Sequence, residues 1–320
     1  MDIVRNILDK PLGLKDPQIS LGTFDGLHRG HVSILERLKQ RAASAGVPAV
    51  AVTYHPHPQR VLADNSKAPK LLSTMPERLK RFRELGMDAV VVIPFDRPFS
   101  RWTAEDFVRT ILLEQLRSGG VVVGYDHAFG HDRRGKTDLL QAELSHHGIP
   151  VEVVPPVKDA GGPIKSSRIR RLLASGELDT ANLLLGYAYS FTGEVVRGDR
   201  RGATLGFPTA NINIPDEKQL PAQAIYGAQA HLGDESYPAL VHIGPRPTLH
   251  EQEMRVEAHL LDFPSRDLYG ETISITPEVH LREVEGFDSL PALAAQLEKD
   301  RKEFIAYRNR KRKENARASQ

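Results

Sequence analysis

Two histidines near the start of the chain, His28 and His31, have a type and spacing suited to phosphate chemistry. They follow a short apolar run and a turn at Gly22, and an amphipathic helical pattern begins at Val32. This order predicts a strand, a tight turn and a helix N-terminus, where unpaired backbone N–H groups attract phosphate. Two close histidines alone are more often incidental or metal-binding. The full Gly-x-Phe-Asp-x-x-His-x-Gly-His spacing favours nucleotide chemistry instead.

A second motif, in the other half of the chain, has three glycines spaced by four residues: Gly198, Gly202 and Gly206. Such a loop approaches a ligand closely and offers backbone N–H groups to phosphate, although glycines of this kind also serve turns and bulges. The motif ends in Thr209 and Asn211, which face the same way on an extended segment. Their hydroxyl and amide oxygens are suitable ligands for Mg²⁺.

A carboxylate interrupts a later apolar strand pattern at Glu257. A glutamate that points into a partly dehydrated barrel mouth can accept a proton from a substrate hydroxyl. A surface glutamate on the polar face of an amphipathic strand is the alternative, and the strand pattern by itself favours it.

The elements that must position the first motif alternate between strand and helix patterns. Beyond the run before Gly22, apolar runs span residues 48–54, 88–93, 121–126 and 151–154. Helical patterns start at His31 and near Leu79, and a capping box at Thr103 predicts another helix through Leu116. Strands that are apolar on both faces predict a parallel sheet covered by helices, in a doubly wound, Rossmann-like fold. Ligands then bind beyond the carboxyl ends of the strands.

Short alternating segments without intervening helices dominate the second half, at residues 189–196, 224–232, 237–243, 255–263 and 272–281. They predict an antiparallel barrel or sandwich. A closing helix from Ser289 follows, with an expected packing face of Leu290, Leu293, Leu297, Phe304 and Ile305. We therefore expect domains at 1–185 and 186–310 and a basic tail at 311–320. For the basic residues near the C-terminus, a solvated, frayed segment is favoured over nucleic-acid binding.

Composition limits the classes of partner. The 43 Lys and Arg residues nearly balance 41 Asp and Glu, so the net charge of +2 gives no case for a nucleic-acid-coating surface. No apolar run approaches the roughly 18 residues of a membrane span, and the N-terminal residues lack a signal-peptide layout. The chain has no cysteine, which excludes disulfides and thiolate metal sites. We expect a cytoplasmic protein with no membrane partner and no nucleic-acid partner; a homo-oligomer is compatible with the sequence.

These motifs together give the chain a recognisable family pattern. It resembles the bacterial bifunctional riboflavin kinase/FMN adenylyltransferases, also called FAD synthetases, along nearly its full length. The matching segments are residues 22–31, 53–58, 123–130, 133–135, 166–170, 198–211, 243–248, 257–263 and 268–270.

The resemblance implies two reactions that depend on ATP and Mg²⁺: phosphorylation of riboflavin to FMN, then adenylylation of FMN to FAD. For the kinase it implies Glu257 as base, Thr209 and Asn211 on Mg²⁺, and an ATP loop formed by Gly198, Gly202, Gly206, Pro208 and Thr209. For the adenylyltransferase it implies His28 and His31 as catalytic residues. The ATP site would comprise Gly22, Phe24, Asp25, His28, Gly30, His31, Ser167 and Arg168, and the FMN site Asp126, Phe129 and Arg133.

Several positions depart from the usual family pattern: Lys165 replaces a hydroxyl residue, His127 a phenylalanine, Ala128 an arginine, His55 an acidic residue and His242 an asparagine, and residues 224–227 differ as well. Two other functions compete with the bifunctional enzyme as interpretations of these motifs. A single-function nucleotidyltransferase with a flavin-sensing barrel would require either Glu257 or the pair of Thr209 and Asn211 to have no catalytic role. A non-enzymatic flavoprotein or RNA-binding protein would not require two phosphate sites, and the chain lacks an interleaved basic and aromatic platform.

Overall fold

The computed structural model describes residues 1–5, 7–63, 68–197, 209–245, 254–264 and 266–318. The chain divides into two compact units, Met1–Ile169 and Arg170–Gln320. In the described ranges, none of the helices combines the length and apolar character needed to cross a membrane.

A six-stranded parallel sheet forms the centre of the first unit. Its strands are β1 (Asp2–Val4), β2 (Gln18–Leu21), β3 (Ala49–His55), β4 (Ala89–Pro94), β5 (Gly120–Gly124) and β8 (Val151–Val154), in the order β1-β4-β3-β2-β5-β8. Two short antiparallel pairs accompany it, β6 (Ala128–Phe129) with β7 (Gly135–Lys136), and β9 (Lys158–Asp159) with β10 (Gly162–Pro163). The predicted parallel sheet is confirmed, since every neighbouring pair in the large sheet is parallel.

Helices cover both faces of this sheet. They are α1 (Arg29–Ala45), α2 (Pro58–Leu62), α3 (Met75–Glu84), α4 (Ala104–Asp106) and α5 (Thr137–Ser145), with 3₁₀ turns at Phe99–Arg101 and His131–Arg133. Helix α6 (Ser166–Ala174) contains the boundary between the two units in the chain. On one face Leu35 of α1 and Phe82 of α3 pack in one core. On the other face Ile111 and Leu140 pack in a second core. The segment Phe107–Gln115 is a π-helix, whereas the sequence predicted an ordinary helix there.

The sheet order places two connecting loops side by side. Strands β2 and β5 are hydrogen-bonded neighbours. From β2 the chain continues through α1 to β3 on one side, and from β5 it continues to β8 on the other. Such a reversal of strand order opens a crevice at the carboxyl ends of the two strands, where open α/β sheets bind ligands. The loop that contains His28 and His31 follows β2, and residues 125–136 follow β5.

The second unit contains a closed antiparallel barrel. Its strands are β11 (Phe191–Val196), β12 (Ala210–Asn213), β13 (Ala224–Leu232), β14 (Glu235–Gly244), β15 (Arg255–Leu260) and β16 (Thr272–Arg282), and its helices are α7 (Leu178–Leu185) and α8 (Leu290–Ala318). The strand order β11-β12-β15-β14-β13-β16 closes through pairing of β11 with β16. Of the two expectations, barrel or sandwich, the barrel is confirmed. The strand β12 completes it within the motif that ends at Asn211.

Helix α8 packs on the outside of the barrel wall. The ring of Phe304 is fully buried over Gly227, where a Cβ atom would lie 2.1 Å from the ring. Asp300 accepts hydrogen bonds from Arg282 at 3.0–3.1 Å. The predicted packing face is wrong at Ile305, which is 41% exposed, because Phe304 and Asp300 set the orientation of the helix; the side chain of Leu290 lies outside the described residues. The frayed segment is also contradicted, since α8 continues to Ala318.

Candidate active sites

The first site is built around His28, which caps helix α1. His28 has an extended backbone, and its Nδ1 accepts a hydrogen bond from the backbone N–H of His31 at 3.4 Å. A neutral imidazole that accepts through Nδ1 carries its proton on Nε2. The rings of His28 and His31 stack, with centroids 3.7 Å apart and an interplanar angle of 17°.

His31 is held as a neutral ring. Burial, with further contributions from His28 and Arg78, lowers its pKa well below the ordinary value. Its Nδ1 is buried and has no hydrogen-bond partner within the described part of the chain. The ring of Phe24 meets it edge-on at 5.4 Å. A neutral imidazole of this kind supplies a hydrogen bond to a phosphate rather than a full positive charge.

Close packing gives the loop before α1 its shape. Phe24 is 1% exposed, and a Cβ atom at Gly22 would lie 3.1 Å from its ring. Gly26 has a φ of +79°, a backbone conformation that is strained for any residue with a side chain. A Cβ atom there would also lie 2.8 Å from Leu72. At Gly30 the corresponding distance to the ring of His28 is 3.2 Å. These residues therefore shape the loop that carries the two imidazoles.

Asp25 was predicted to contact ATP, but the structure turns its carboxylate into the protein. It accepts hydrogen bonds from the backbone N–H groups of Leu72 at 3.1 Å and Ser73 at 3.0 Å. The guanidinium of Arg78 lies 3.6 Å away, and both side chains are at most 2% exposed. In this arrangement Asp25 fastens the histidine loop to the segment before α3. No local pattern signals this, since the partners lie about 50 residues further along the chain.

The start of α6 lies against the same loop. The hydroxyl of Ser166 donates a hydrogen bond to the backbone carbonyl of Asp25 at 3.0 Å. Ser167, predicted to contact ATP, is exposed beside it. Arg168, also predicted to contact ATP, instead donates two hydrogen bonds to Asp159, at 2.5 and 2.9 Å. The structure thus brings Ser166 to the histidine loop and pairs Arg168 with Asp159.

The predicted FMN residues lie after β5 and differ in exposure. Asp126 and Arg133 are exposed. Phe129 is only 5% exposed and packs against Phe107 with ring centroids 5.5 Å apart, so it belongs to the core. The ring of His127 stacks on it at 5.7 Å, and burial, aided by Arg133, lowers the pKa of His127 to about 4. Sequence reasoning did not identify His127 as a site residue.

The second site is a row of side chains across three barrel strands. Glu257 on β15 lies directly opposite Asn211 on β12 and directly opposite His242 on β14. Side chains opposed in this way share one face of the sheet, with Cβ atoms about 4.5–5.5 Å apart. The barrel therefore places the predicted base beside one of the two predicted Mg²⁺ ligands.

This row lies on the outer face of the barrel wall. The neighbours of Glu257 in β15, Val256 and Ala258, are buried on the opposite face, and Glu257 is half-buried. Leu240, two residues before His242 and on the same face, packs with Phe304 of α8. The expectation that Glu257 points into the barrel mouth is therefore wrong. The carboxylate stands on the side of the wall that carries the helix.

The oxygen groups of this face suit a hard cation. Thr209 is exposed one residue before β12, and Asn211 stands beside Glu257. Hydroxyl, amide and carboxylate oxygens are the donor types that Mg²⁺ takes. Within the described ranges no group of three His, Cys, Asp or Glu residues could hold a metal on its own. The predicted ATP loop residues Gly198, Gly202, Gly206 and Pro208 lie outside the described residues.

The fold and the two sites define a class of protein: a two-module transferase, with a doubly wound α/β unit followed by an antiparallel barrel. Comparison with known proteins makes this specific. Residues 13–168 match the family model described as FAD synthetase, and residues 185–307 match the one described as riboflavin kinase. The chain belongs to the family of bifunctional riboflavin kinase/FMN adenylyltransferases.

Named relatives match over both modules. The bifunctional riboflavin kinase/FMN adenylyltransferase of Escherichia coli K12 is 35% identical over 284 residues, covering 88% of this chain and 90% of the relative. The protein of the same name from Listeria monocytogenes is 35% identical over 291 residues, with coverages of 90% and 91%. A solved structure named macrolide-efflux protein from Streptococcus pneumoniae aligns with a TM-score of 0.83 at 29% identity, covering 94% of this chain and 98% of that one. The two family models and the relatives from E. coli and L. monocytogenes all name transferases.

Proposed function

We propose that the chain converts riboflavin to FAD in two steps, each with its own ATP. In the first step the 5′-hydroxyl of riboflavin attacks the γ-phosphorus of ATP and ADP leaves. In the second step a phosphate oxygen of FMN attacks the α-phosphorus of another ATP and pyrophosphate leaves. The observation that carries the proposal is the row of Asn211, Glu257 and His242, which gathers a carboxylate and an amide on one face of the barrel.

In the kinase step, Glu257 takes the proton of the riboflavin hydroxyl while the oxygen attacks phosphorus. Its position, half-buried beside Asn211, supports this role. Thr209 and Asn211 would hold Mg²⁺, which neutralises charge on the ATP phosphates. The glycine loop of residues 198–208 would bind ATP.

In the adenylylation step, the attacking FMN phosphate is already ionised, so the site needs no strong base. Catalysis then consists of positioning and stabilisation of charge on the phosphate oxygens. The stacked His28 and His31 at the start of α1 supply hydrogen bonds for this purpose. Gly22, Phe24 and Gly30 shape their loop, and Ser167 contacts the phosphates from the start of α6.

The division of labour follows the two modules, with adenylylation assigned to residues 1–185 and kinase activity to residues 186–310. The compact units divide at Ile169 and Arg170, so we assign α7 to the barrel side in structural terms. We also propose a cytoplasmic location for the enzyme. Its partners are then ATP, riboflavin, FMN and FAD, without membrane or nucleic acid.

Flavin products identified by chromatography test the proposal. The purified protein, incubated with riboflavin, ATP and Mg²⁺, should form FMN and then FAD. Glu257→Gln, which keeps the size of the side chain, should abolish FMN formation and leave FAD formation from supplied FMN intact. If the wild-type protein forms FAD from supplied FMN but forms no FMN from riboflavin, the barrel only senses flavin. Loss of both activities in the variant would refute the assignment of Glu257 to one module.

A further inference from the structure

Lys165 stands where three segments of the first unit meet. Its neighbour Ser166 donates a hydrogen bond to the backbone of Asp25 in the histidine loop. On its other side, the carbonyl oxygen of Ile164 would lie 3.5 Å from a Cβ atom at Gly30. The stretch 164–166 is therefore packed on the loop that carries His28 and His31.

The side chain of Lys165 reaches the third segment, which follows β5. Its ammonium nitrogen lies 3.5 Å from Oδ2 of Asp126 and 5.6 Å from the centre of the Tyr125 ring. The two charged side chains are 48% and 57% exposed. An exposed ion pair of this kind contributes only about 0–1 kcal/mol. The pair with Asp126 is therefore easily exchanged for a stronger anionic partner.

Several other cations close to this crevice have partners within the protein or carry no charge near pH 7, whereas Arg133 is exposed in the loop after β5. Arg168 is held by two hydrogen bonds to Asp159. Arg78 is buried against Asp25. The low pKa of His31 keeps that ring neutral near pH 7. Two phosphate anions must nevertheless be brought together in the adenylylation step, and their repulsion requires positive charge between them.

We propose that Lys165 is a phosphate-contacting residue of the adenylyltransferase site. Its ammonium leaves Asp126 and donates a hydrogen bond to the phosphate of FMN as that phosphate approaches ATP. Lys165 exchanges no proton in the reaction; the new P–O bond forms and pyrophosphate leaves as already described. This inference rests on the proposed function and adds to it a residue that contacts the FMN phosphate, beside the predicted Arg133.

Three variants test this role in the full chain. Lys165→Met removes the charge and retains the length of the side chain, and Lys165→Arg restores a charge. Lys80→Met is the matched control, since Lys80 is an exposed lysine on α3 of the same unit. FAD formation is measured with FMN varied at saturating ATP, and riboflavin phosphorylation is measured alongside. Unfolding followed by the fluorescence of Trp102 reports whether each variant is folded.

A charge-assisted hydrogen bond to phosphate is roughly twice as strong as a neutral one. We expect Lys165→Met to lower kcat/KM for FMN at least tenfold, with unchanged riboflavin phosphorylation and an unchanged unfolding midpoint. Lys165→Arg should recover most of this loss, and Lys80→Met should behave as wild type. The inference is overturned if kcat/KM of Lys165→Met for FMN stays within twofold of the wild-type value. It is also overturned if riboflavin phosphorylation falls by the same factor as FAD formation. A wild-type protein that forms no FAD would instead refute the proposed function itself.

Discussion

The buried pair of Asp25 and Arg78 gives a prediction whose size follows from the structure. Asp25→Asn keeps the volume of the side chain and removes the charge that lies 3.6 Å from the buried guanidinium of Arg78. Removal of one partner from a buried pair costs about 3–5 kcal/mol. Arg78 keeps its hydrogen bonds to Ser73, at 3.3 and 3.1 Å, so we expect the lower end of that range.

The chain contains a single tryptophan, which makes the assay specific to the first unit. Trp102 packs against Phe99 with ring centroids 5.0 Å apart, on the sheet face whose core contains Ile111 and Leu140. Urea unfolding followed by its fluorescence should show a midpoint lowered by about 1–2 M, for a loss of about 3 kcal/mol at a typical slope. The double variant Asp25→Asn/Arg78→Met should recover part of the loss, because it removes the buried positive charge together with the carboxylate.

Two results would refute this reasoning. The first is a loss of stability below about 1 kcal/mol in Asp25→Asn. The second is a double variant no more stable than the single one. If Asp25→Asn raised KM for ATP strongly at unchanged stability, the prediction of a direct ATP contact, made from the sequence, would hold instead.

Three further predictions concern the histidines and the module boundary. His28→Ala or His31→Ala should lower FMN adenylylation by the order of 10²-fold, the size expected for loss of a preorganised donor, while riboflavin phosphorylation persists; zinc bound in stoichiometric amount and lost on mutation would contradict this. The pKa of His127, about 4 against an ordinary 6.5, means that the unfolded chain binds the proton first. The free energy of unfolding of the first unit should therefore fall as the pH falls from about 6.5 towards 4, and His127→Gln should flatten that slope in urea titrations at several pH values. A fragment from residue 170 should fold and phosphorylate riboflavin, whereas one from residue 186 should unfold more readily in calorimetry, because Ala181, Leu184 and Leu185 are fully buried.

The sequence predicted those features that depend on local periodicity. Continuous apolar runs such as 88–93 predicted buried parallel strands, and alternating runs such as 224–232 predicted the antiparallel strands of the barrel. The histidine spacing predicted the start of a helix, and His28 is the N-cap residue of that helix. In each case the residues that determine the structure are close together in the chain.

Features set by distant contacts were not predictable in this way. Alternation in β15 divides its residues into two faces, but only the packing of α8 on Leu240 shows which face is outside, and therefore where Glu257 stands. The burial of Phe129 depends in the same way on Phe107, and the pairing of Arg168 depends on a hairpin residue, Asp159. The sequence did not predict the π-helix at 107–115, because its apolar spacing also fits an ordinary helix.

The contact of Phe304 with Gly227 has a practical consequence for protein engineering. A ring seated directly on backbone accepts no larger residue at position 227 unless position 304 changes with it. Beyond Phe304, α8 continues for 14 residues to Ala318, which at about 1.5 Å per residue is roughly 20 Å of helix. Nearly all of those residues are half-buried or exposed. An affinity tag or fluorescent protein joined after residue 318 would thus lie well away from the contact between Phe304 and Gly227. Shortening the chain to residue 303 would remove Phe304 and with it the packing of α8 on the barrel.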